Sequence, residues 1–533
     1  MNKLIGAGEI AVIVLLAVFP AFGTFPYRIN IFLSYEGAYR MYLGQFPFRD
    51  FGLPMGFMYW VIPALFFKIF GPYMMSLVKA QVLINIIAGL SFRSILKSLS
   101  VNPGVRFLAV LLFVISYSLF NYWPWYNHTV IVYELVALAF LVNYIATPGK
   151  RKGAGLLVLA GVFAFFSFFT KQDAGAMAFL LCLALVCTSS WLERDWKQPL
   201  IFLAGFAATG LMMILPLLKY KFGYWFNHGQ PPHTARISVA DIAEDFFNNS
   251  PWIKFYIFII VFLLLAQVKS WKEFLHQKTD LIFVVLTFGI LTEAAIFQTT
   301  SYIPADNNIF FHSFAIAFIL SLLIRYLPID LTSFRMLAIA SAGMLLWWSS
   351  VYWKYMARFI IRPEPAIVNT DGIVNKKTYL ILKPDTSDVP MDRWRTPHLR
   401  SFRNMLLPGP TVDGIERLMA LPLLKNNPAA RVLNMTELTP LAYEMKFSLE
   451  ASPDYPLWFH KGVGMFQQQT NMFCDRIRGN YYDLVLFEYI PFLNNFYPFQ
   501  VRECLLENYR RIDVFTAPRK PSIQAWVEVY VRK

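Results

Sequence analysis

The stretch YEGAYRMYLGQFPFRDFGLPMGFMYWVIPALFFKIFG, residues 35–71, follows the first hydrophobic segment of the chain. It carries two acids, Glu36 and Asp50, and then becomes strongly apolar. Helical spacing from Tyr35 to Gln45, ended by a Phe-Pro pair, predicts a short amphipathic helix lying on a membrane surface. A second helix is predicted from Pro54 to Phe70. Acids held at a boundary between water and lipid are costly, so their presence here indicates a functional segment.

The composition is that of a membrane protein. The chain has 533 residues, of which 57% are hydrophobic, 17% aromatic and only 15% charged, and this is too apolar for a soluble protein. The net charge of +15 could indicate nucleic acid binding, but basic loops that orient a membrane protein account for it first. The run from Ile10 to Phe25 has no convincing cleavage site, so a retained signal anchor is expected.

Apolar runs recur as far as Val351 and predict a polytopic α-helical membrane protein with about eleven transmembrane helices. The runs lie near 10–25, 74–92, 107–122, 129–146, 154–169, 174–191, 199–218, 251–268, 281–298, 309–324 and 336–351. With the N-terminus in the cytoplasm every predicted inside loop is basic, and the first contains Arg93, Lys97 and Arg106. This topology requires residues 54–70 to be an interfacial or re-entrant piece, because one more span would reverse everything downstream.

The same topology sends many ionisable residues to the outer face. They are Glu36, Asp50, His128, Lys171, Asp173, Glu293, Asp306 and His312, together with the loop 219–250 that carries His228, His233 and Arg236. A one-sided cluster of ionisable groups predicts a site that faces outward and lies partly in lipid. For any single one of these residues, an ordinary interfacial role is an equally good explanation.

The composition becomes polar and Pro-rich after Trp353. We predict a membrane domain over residues 1–352, with its first outer loop at 26–73, a linker at 353–375, and a soluble α/β domain at 376–533 packed on the outer face. Periodicity in the last region predicts helices at 412–424 and 501–511 and strands at 431–434, 483–487 and 526–531. Cys474 and Cys504 could form a disulfide if this region lies outside the cytoplasm.

The first 200 or so residues carry a series of short motifs. These are Glu36-Gly37-Ala38-Tyr39, Gly44-Gln45-Phe46-Pro47-Phe48-Arg49-Asp50, Phe70-Gly71, Lys79 near the start of the second span, and Thr170-Lys171-Gln172 at the outer end of the fifth. This arrangement resembles the GT-C superfamily of membrane glycosyltransferases. The branches that look closest are the lipid A aminoarabinose transferases and the protein O-mannosyltransferases. The later spans match only in hydropathy.

The resemblance implies transfer of a sugar from a polyprenyl-phosphate-linked donor to an acceptor glycan, lipid or protein at the outer face of the membrane, usually with inversion. It implies a place in a bacterial inner membrane. Such a reaction needs a carboxylate to take the proton of the acceptor hydroxyl and cations to hold the lipid phosphate as it leaves. The expected partners are therefore the lipid-linked sugar, the acceptor and the bilayer, with no nucleic acid.

Glu36 and Asp50 are the candidate catalytic residues. The family usually has Asp-Glu where this chain has Tyr35-Glu36, and the missing Asp is the residue normally assigned as the base. We favour Glu36 for this role because it occupies the matching turn, with Asp50 second. The alternatives are that Glu36 caps its helix and that Asp50 pairs with Arg49 or positions the loop.

Three basic residues are candidates for binding the donor phosphate. Lys171 is the best of them, although a lysine at the end of a span also serves as an interfacial anchor. Lys79 is expected to pair inside the bundle, and Arg49 is a weaker candidate. Possible substrate-binding residues are His128, Glu134, His233 and Arg236. Glu134 falls inside the fourth span, where an ionised carboxylate would need a partner.

Other functions are weaker matches to the sequence. No Cys/His cluster has zinc spacing, and there is no Walker or dinucleotide-binding Gly-rich loop, so no metal site or cofactor is predicted, although Glu36 with Asp50 leaves a divalent cation open. A lipid or glycan transporter or flippase could use the same intramembrane charges, but no paired halves are visible. A non-catalytic relative that has lost its Asp also remains open.

Overall fold

The structure is a computed structural model in which helices dominate. It describes residues 2–27, 31–119, 121–147, 153–226, 238–301, 310–327, 329–356, 389, 393–423, 430–491, 498–518 and 525–533. Two of the possible substrate-binding residues, His233 and Arg236, lie outside the described residues, and so does most of the predicted linker at 353–375.

The helices up to residue 356 form a bundle, with an inserted segment between α1 and α4 that contains α2 and α3. They are α1 (Asn2–Val18), α2 (Ile31–Tyr42), α3 (Met58–Phe70), α4 (Met74–Ser98), α5 (Pro103–Phe113), α6 (Tyr126–Ala146), α7 (Ala154–Thr170), α8 (Gln172–Glu193), α9 (Lys197–Ile214), α10 (Val239–Asn249), α11 (Pro251–Gln267), α12 (Trp271–Phe274), α13 (Lys278–Ser301), α14 (Phe311–Leu323), α15 (Phe334–Trp347) and α16 (Ser349–Met356). A π-helical turn, Val114–Ser118, continues α5. Each predicted span corresponds to one of these helices.

The helices differ in whether they are long enough to cross a membrane. Six qualify by length and composition, namely α4, α6, α8, α9, α13 and α1 with its extension to Phe22, and the count is seven if α10 and α11, which meet at 85°, form one span. Helices α5, α7, α14 and α15 are apolar but shorter. The described residues therefore give six or seven candidate spans of an integral membrane protein, and the finer number of about eleven stays a prediction.

Helix α2 lies inside the protein and not on its surface, whereas its place at the membrane boundary stays a prediction. It begins four residues earlier than predicted, at Ile31, and most of its residues are buried. One face packs on α3, where Trp60 lies so close to Gly37 that an added Cβ would come within 2.0 Å of the ring. The indole N–H of Trp60 donates to the carbonyl of Leu33 at 2.8 Å. Other parts of the chain cover the face that the local pattern left for solvent.

A buried ion cluster joins α1, α4 and α5. The carboxylate of Glu9 is fully buried and accepts hydrogen bonds from Arg93 at 2.6 Å and from Arg106 at 2.8 Å. The two arginines lie within α4 and α5 and not in a loop, and the side of the membrane on which they lie stays a prediction. Part of the basic charge attributed to orientation is therefore structural, because it balances an acid inside the bundle.

The C-terminal region combines short helices with two small sheets. Its elements are β2 (Trp394–Arg395), β3 (Met405–Pro408), α17 (Gly409–Met419), β4 (Val432–Met435), α18 (Leu441–Glu444), α19 (Phe466–Arg478), β5 (Leu484–Tyr489), α20 (Phe499–Asn508), β6 (Tyr509–Thr516) and β7 (Trp526–Arg532). The larger sheet has the order β4-β5-β7-β6, with β4 and β5 parallel and the other pairs antiparallel. The five elements predicted here are present, whereas α19 and β6 were not anticipated.

The C-terminal region and the inserted segment between α1 and α4 share one hydrophobic core. Strand β1 (Phe25–Pro26), just after α1, pairs in parallel with β3 of the smaller sheet. Further along, the carbonyl of Asp50 accepts from the backbone N–H of Ser452 at 2.7 Å. A disulfide between Cys474 and Cys504 joins α19 to α20. The C-terminal region is thus fastened to the segment that carries Glu36 and Asp50.

Candidate functional site

Glu36 forms an ion pair with the next turn of its own helix. Its Oε1 accepts from Arg40 Nε at 2.9 Å and lies 2.8 Å from Arg40 Nη2. Arg40 is fully buried, and its guanidinium also donates to the carbonyl of Glu450 at 2.7 Å and lies 4.6 Å from the ring of Tyr455. Because α2 begins at Ile31, Glu36 lies beyond its first turn, and the helix-capping alternative is wrong. The i,i+4 spacing to Arg40 could have indicated this pair.

The free side of Glu36 faces the C-terminal region. The residue lines a small cavity together with Phe32, Asn434, Thr436 and Tyr455. Its side chain retains 9% of its surface exposed, although Arg40 occupies one oxygen. Glu36 therefore lines the same cavity as Asn434 within β4 and Thr436 just after it. Sequence reasoning missed Asn434 and Thr436 as neighbours, because the chain places them some 400 residues away.

Asp50 holds the loop between α2 and α3 in place. Its Oδ2 accepts from the backbone N–H of Phe46 at 2.7 Å and from Arg49 Nε and Nη2 at 2.9 and 2.6 Å. Burial acts to raise the pKa of Asp50, but the hydrogen bonds from Arg49 and Phe46 outweigh it, and the pKa lies below its usual value. This geometry matches the alternative in which Asp50 pairs with Arg49 and positions the loop. It also engages Arg49, the weaker phosphate candidate.

Lys171 lies at the junction of α7 and α8, among aromatic rings. Its Nζ is 3.2 Å from Asp173 Oδ2, 4.8 Å from the ring centre of Phe297 and 5.9 Å from that of Tyr126. Only 13% of the Lys171 side chain is exposed. Asp173 belongs to the first turn of α8, where the helix dipole favours a carboxylate. A long lysine that snorkelled to water would be more exposed, so the anchor alternative fits less well.

Lys79 does not pair inside the bundle, and that prediction is wrong. Its side chain is exposed, and its Nζ lies 4.1 Å from the ring centre of Phe70 at the end of α3. Residue 79 occurs in the second turn of α4, on the side away from the helices that pack against it. A cation–π contact satisfies the charge at the surface. Among the described residues, no contact brings Lys79 next to Lys171, so it does not act there as a second cation.

His128 is buried inside the bundle and takes part in a network of neutral polar groups. Its Nδ1 lies 3.3 Å from Gln81 Nε2, and Gln81 also donates to Asn85 at 2.7 Å. The ring stacks on Tyr117, whose hydroxyl donates to the carbonyl of His128 at 2.9 Å. Because α6 already begins at Tyr126, His128 is a helix residue and not part of an outer loop. Its contacts join α4, α6 and the turn after α5.

Glu134 meets Glu293 in the interior of the bundle. The two residues are 0% and 3% exposed, and their carboxyl groups are within hydrogen-bonding reach of each other. None of their four oxygens has a hydrogen-bond donor among the described residues. Glu293 also interacts electrostatically with Asp173. The sequence identified both acids, but their pairing depends on how α6 and α13 pack and could not be read from either helix.

The segment around Trp458 lies between the Glu36 cavity and the Lys171 cluster. Leu457 lines the cavity of Glu36, and the next residue, Trp458, has its ring 6.4 Å from that of Tyr126. Tyr126 in turn is the neighbour of Lys171. Contacts of one short segment of the C-terminal region therefore link the two groups of polar residues.

The residues present do not form a metal cage. Arg40 occupies Glu36 and Arg49 occupies Asp50, so the two acids that could have shared a divalent cation each have another partner. Among the described residues, no three His, Cys, Asp or Glu side chains come together in a way that could hold a metal ion.

Comparisons with known proteins give a limited result. No protein-family model and no curated protein matches the chain. Among solved structures, it is similar to ArnT from Cupriavidus metallidurans bound to undecaprenyl phosphate, with 13% identity over 67% of this chain and 66% of that chain and a TM-score of 0.41. For apo ArnT from the same organism the identity is 12%, the coverage 67% and 65%, and the TM-score 0.42.

ArnT is a GT-C glycosyltransferase of the lipid A aminoarabinose branch, the same kind of protein that the motifs resemble. The chain spans about two thirds of the length of these ArnT structures. Both identities are below 25% and both TM-scores are below 0.5, so this likeness carries no argument about the function of the chain.

Proposed function

We propose that this chain is a glycosyltransferase that moves a sugar from a polyprenyl-phosphate-linked donor to an acceptor glycan, lipid or protein at the outer face of the membrane, with inversion. The observation that carries the proposal is the position of Lys171. This shielded cation lies at the end of a membrane helix, among aromatic rings and beside a carboxylate. Contacts of one short segment of the C-terminal region link it to the cavity of Glu36.

In this proposal Lys171 binds the phosphate of the donor. A lysine in a shielded setting attracts a phosphate more strongly than one in water, because the effective dielectric constant is lower. Asp173 holds the lysine before the donor arrives, and the rings of Tyr126 and Phe297 suit a lipid-linked substrate. As the bond between sugar and phosphate breaks, the ammonium stabilises the negative charge that develops on the leaving phosphate.

Glu36 is the proposed base. Arg40 fixes one oxygen of its carboxylate, and the other side faces the cavity with Asn434 and Thr436. The acceptor hydroxyl gives its proton to Glu36 while its oxygen forms a bond to the sugar and the phosphate departs with the electron pair of the broken bond. Asp50 has the supporting role of holding the loop, since Arg49 and Phe46 already engage its carboxylate.

The proposed orientation has the N-terminus in the cytoplasm, about eleven spans, and the C-terminal α/β region outside the cytoplasm of a bacterial cell. The disulfide between Cys474 and Cys504 supports this orientation, because such bonds persist in oxidising compartments. The attachment of the C-terminal region to the first outer segment requires the two to lie on the same side of the membrane.

Two substitutions in the same loop test this proposal. Glu36→Gln is expected to reduce sugar transfer about 10²- to 10⁴-fold, the usual effect of losing a general base, whereas Asp50→Asn is expected to retain most of it. The measurement is glycan assembly in cells that depend on this chain, with equal protein levels in the membrane. Full transfer by Glu36→Gln would refute the proposed base, and movement of a lipid-linked sugar without any transfer would favour the transporter.

A further inference from the structure

Two carboxyl groups face each other at the same depth in the helix bundle. Glu134 is eight residues after the start of α6, and Glu293 is eight residues before the end of α13. At 1.5 Å per residue, each lies about 12 Å from the outer end of its helix. Both are buried, and each carboxyl is within hydrogen-bonding reach of the other. No acceptor hydroxyl can reach these acids without the helices moving apart.

The surroundings of the pair do not supply a balancing positive charge. The titratable groups that interact electrostatically with it, among the described residues, are Tyr117 from the turn after α5 and Cys182 and Asp173 from α8. None of these is a cation. By contrast Glu9, equally buried in the same bundle, receives hydrogen bonds from two arginines.

Two carboxylates in contact away from water are not both ionised at the pH at which an ordinary carboxyl group is, because their repulsion and the loss of hydration hold one proton on the pair to higher pH. A hydrogen bond between carboxyl groups also needs a proton on one of them, since a carboxylate only accepts. We propose that Glu134 and Glu293 form a proton-binding site, in which one proton is shared between the two side chains and links α6 to α13. A proton needs only these two carboxyl groups, whereas a metal ion needs more ligands than the described residues provide.

The shared proton also determines the charge beside the proposed phosphate site, and this extension rests on the proposed function. Lys171 contributes one positive charge and Asp173 one negative charge. With the proton in place the pair adds a single negative charge, and without it the pair adds two. Loss of the proton therefore makes the region around Lys171 more repulsive to a lipid phosphate.

Infrared spectroscopy of the purified protein in lipid nanodiscs tests for the proton directly. The difference spectrum between wild type and Glu134→Gln/Glu293→Gln at neutral pH is expected to contain one protonated carboxyl band, sensitive to D₂O, and one carboxylate band. Two carboxylate bands would refute the proposal, and so would two protonated carboxyl bands. Glu9→Gln is the matched control and is expected to remove only a carboxylate band.

A pH titration of the wild-type infrared spectrum needs no variant. It therefore tests for the shared proton even if the double variant fails to fold. The protonated carboxyl band of the wild type is expected to decline as the pH rises and to return when the pH is lowered. A protein without this band at any pH at which it stays folded would contradict a shared proton.

Binding of undecaprenyl phosphate, used as the probe, tests the extension. Between about pH 7 and about pH 9 the phosphate is already close to doubly charged, so its own titration contributes little. Wild-type affinity is expected to fall about tenfold in the part of this range where the protonated carboxyl band declines, and the glutamine double variant is expected to stay nearly constant. Equal pH dependence in the two proteins would refute the link to the phosphate site. Lys171→Ala tests the proposed function separately, because its loss of affinity does not depend on pH.

Discussion

The bundle contains two buried acid sites that solve the same physical problem differently. Glu9 is surrounded by Arg93 and Arg106, so its charge is balanced within the protein. Among the described residues, Glu134 and Glu293 have no hydrogen-bond donor other than each other, and Lys171 faces Asp173. An acid whose charge is balanced by arginines holds helices together and needs no further ligand. For the pair without a cation we have proposed a shared proton, so the two sites are expected to respond differently to substitution.

Substitution of Glu9, the acid balanced by two arginines, is expected to lower the free energy of unfolding most. Glu9→Gln leaves the buried Arg106 and the half-buried Arg93 without a counter-ion, and breaking a buried ion pair typically costs about 3–5 kcal/mol. The measurement is thermal unfolding of the purified protein in nanodiscs. Glu273→Gln, at an exposed position in α12, serves as the control and is expected to change little. A Glu9→Gln protein as stable as the control would contradict the expected difference between the two buried acid sites.

The unbalanced pair is expected to tolerate neutral substitution. In Glu134→Gln/Glu293→Gln, the two amides can exchange a hydrogen bond without any charge, so the loss of stability is expected to stay below about 1.5 kcal/mol. The same unfolding measurement, made beside Glu9→Gln, gives the contrast directly. A loss as large as that of Glu9→Gln would indicate that the pair is structural in the same sense as the arginine cluster.

Asp50 gives the smallest expected effect and a defined pH dependence. Asp50→Asn removes the ion pair with Arg49, which is partly exposed, and is expected to cost about 0.5–1 kcal/mol at neutral pH. Because folding lowers the pKa of Asp50, its contribution is present above the unfolded pKa of about 4 and is lost as the pH falls through the folded value. The stability of wild type and variant should therefore converge in acid. A constant difference down to about pH 2 would contradict this role.

The sequence predicted the secondary structure well wherever the local periodicity of apolar residues determines it. Apolar runs located the membrane helices, and alternation located β7. Contacts between distant segments were not accessible in this way. The amphipathic pattern of α2 shows a polar face, but only the folded chain reveals that Glu450 and Tyr455 cover it. For the same reason the sequence could single out Glu134 without identifying its partner.

The candidate site shows the same division. The motif around Lys171 was recognisable, and the structure gives it the neighbours Asp173, Phe297 and Tyr126. Lys79 was placed inside the bundle because it falls within an apolar run, yet the packing of α4 leaves it exposed. Hydropathy gives the depth of a residue along a span, but it does not give the side of the helix that faces other helices.

Binding of a polyprenyl phosphate by Lys171 variants tests the central claim most directly. Native mass spectrometry of the purified protein with undecaprenyl phosphate compares wild type with Lys171→Ala, Lys171→Arg and Lys221→Ala. Lys221 is an exposed lysine paired with Asp454, which makes it a suitable control. Lys171→Ala is expected to lose at least about 30-fold in affinity, as for a truncated buried charge pair, while Lys171→Arg recovers part of it and Lys221→Ala binds as wild type. Equal affinity of Lys171→Ala and wild type would contradict the account.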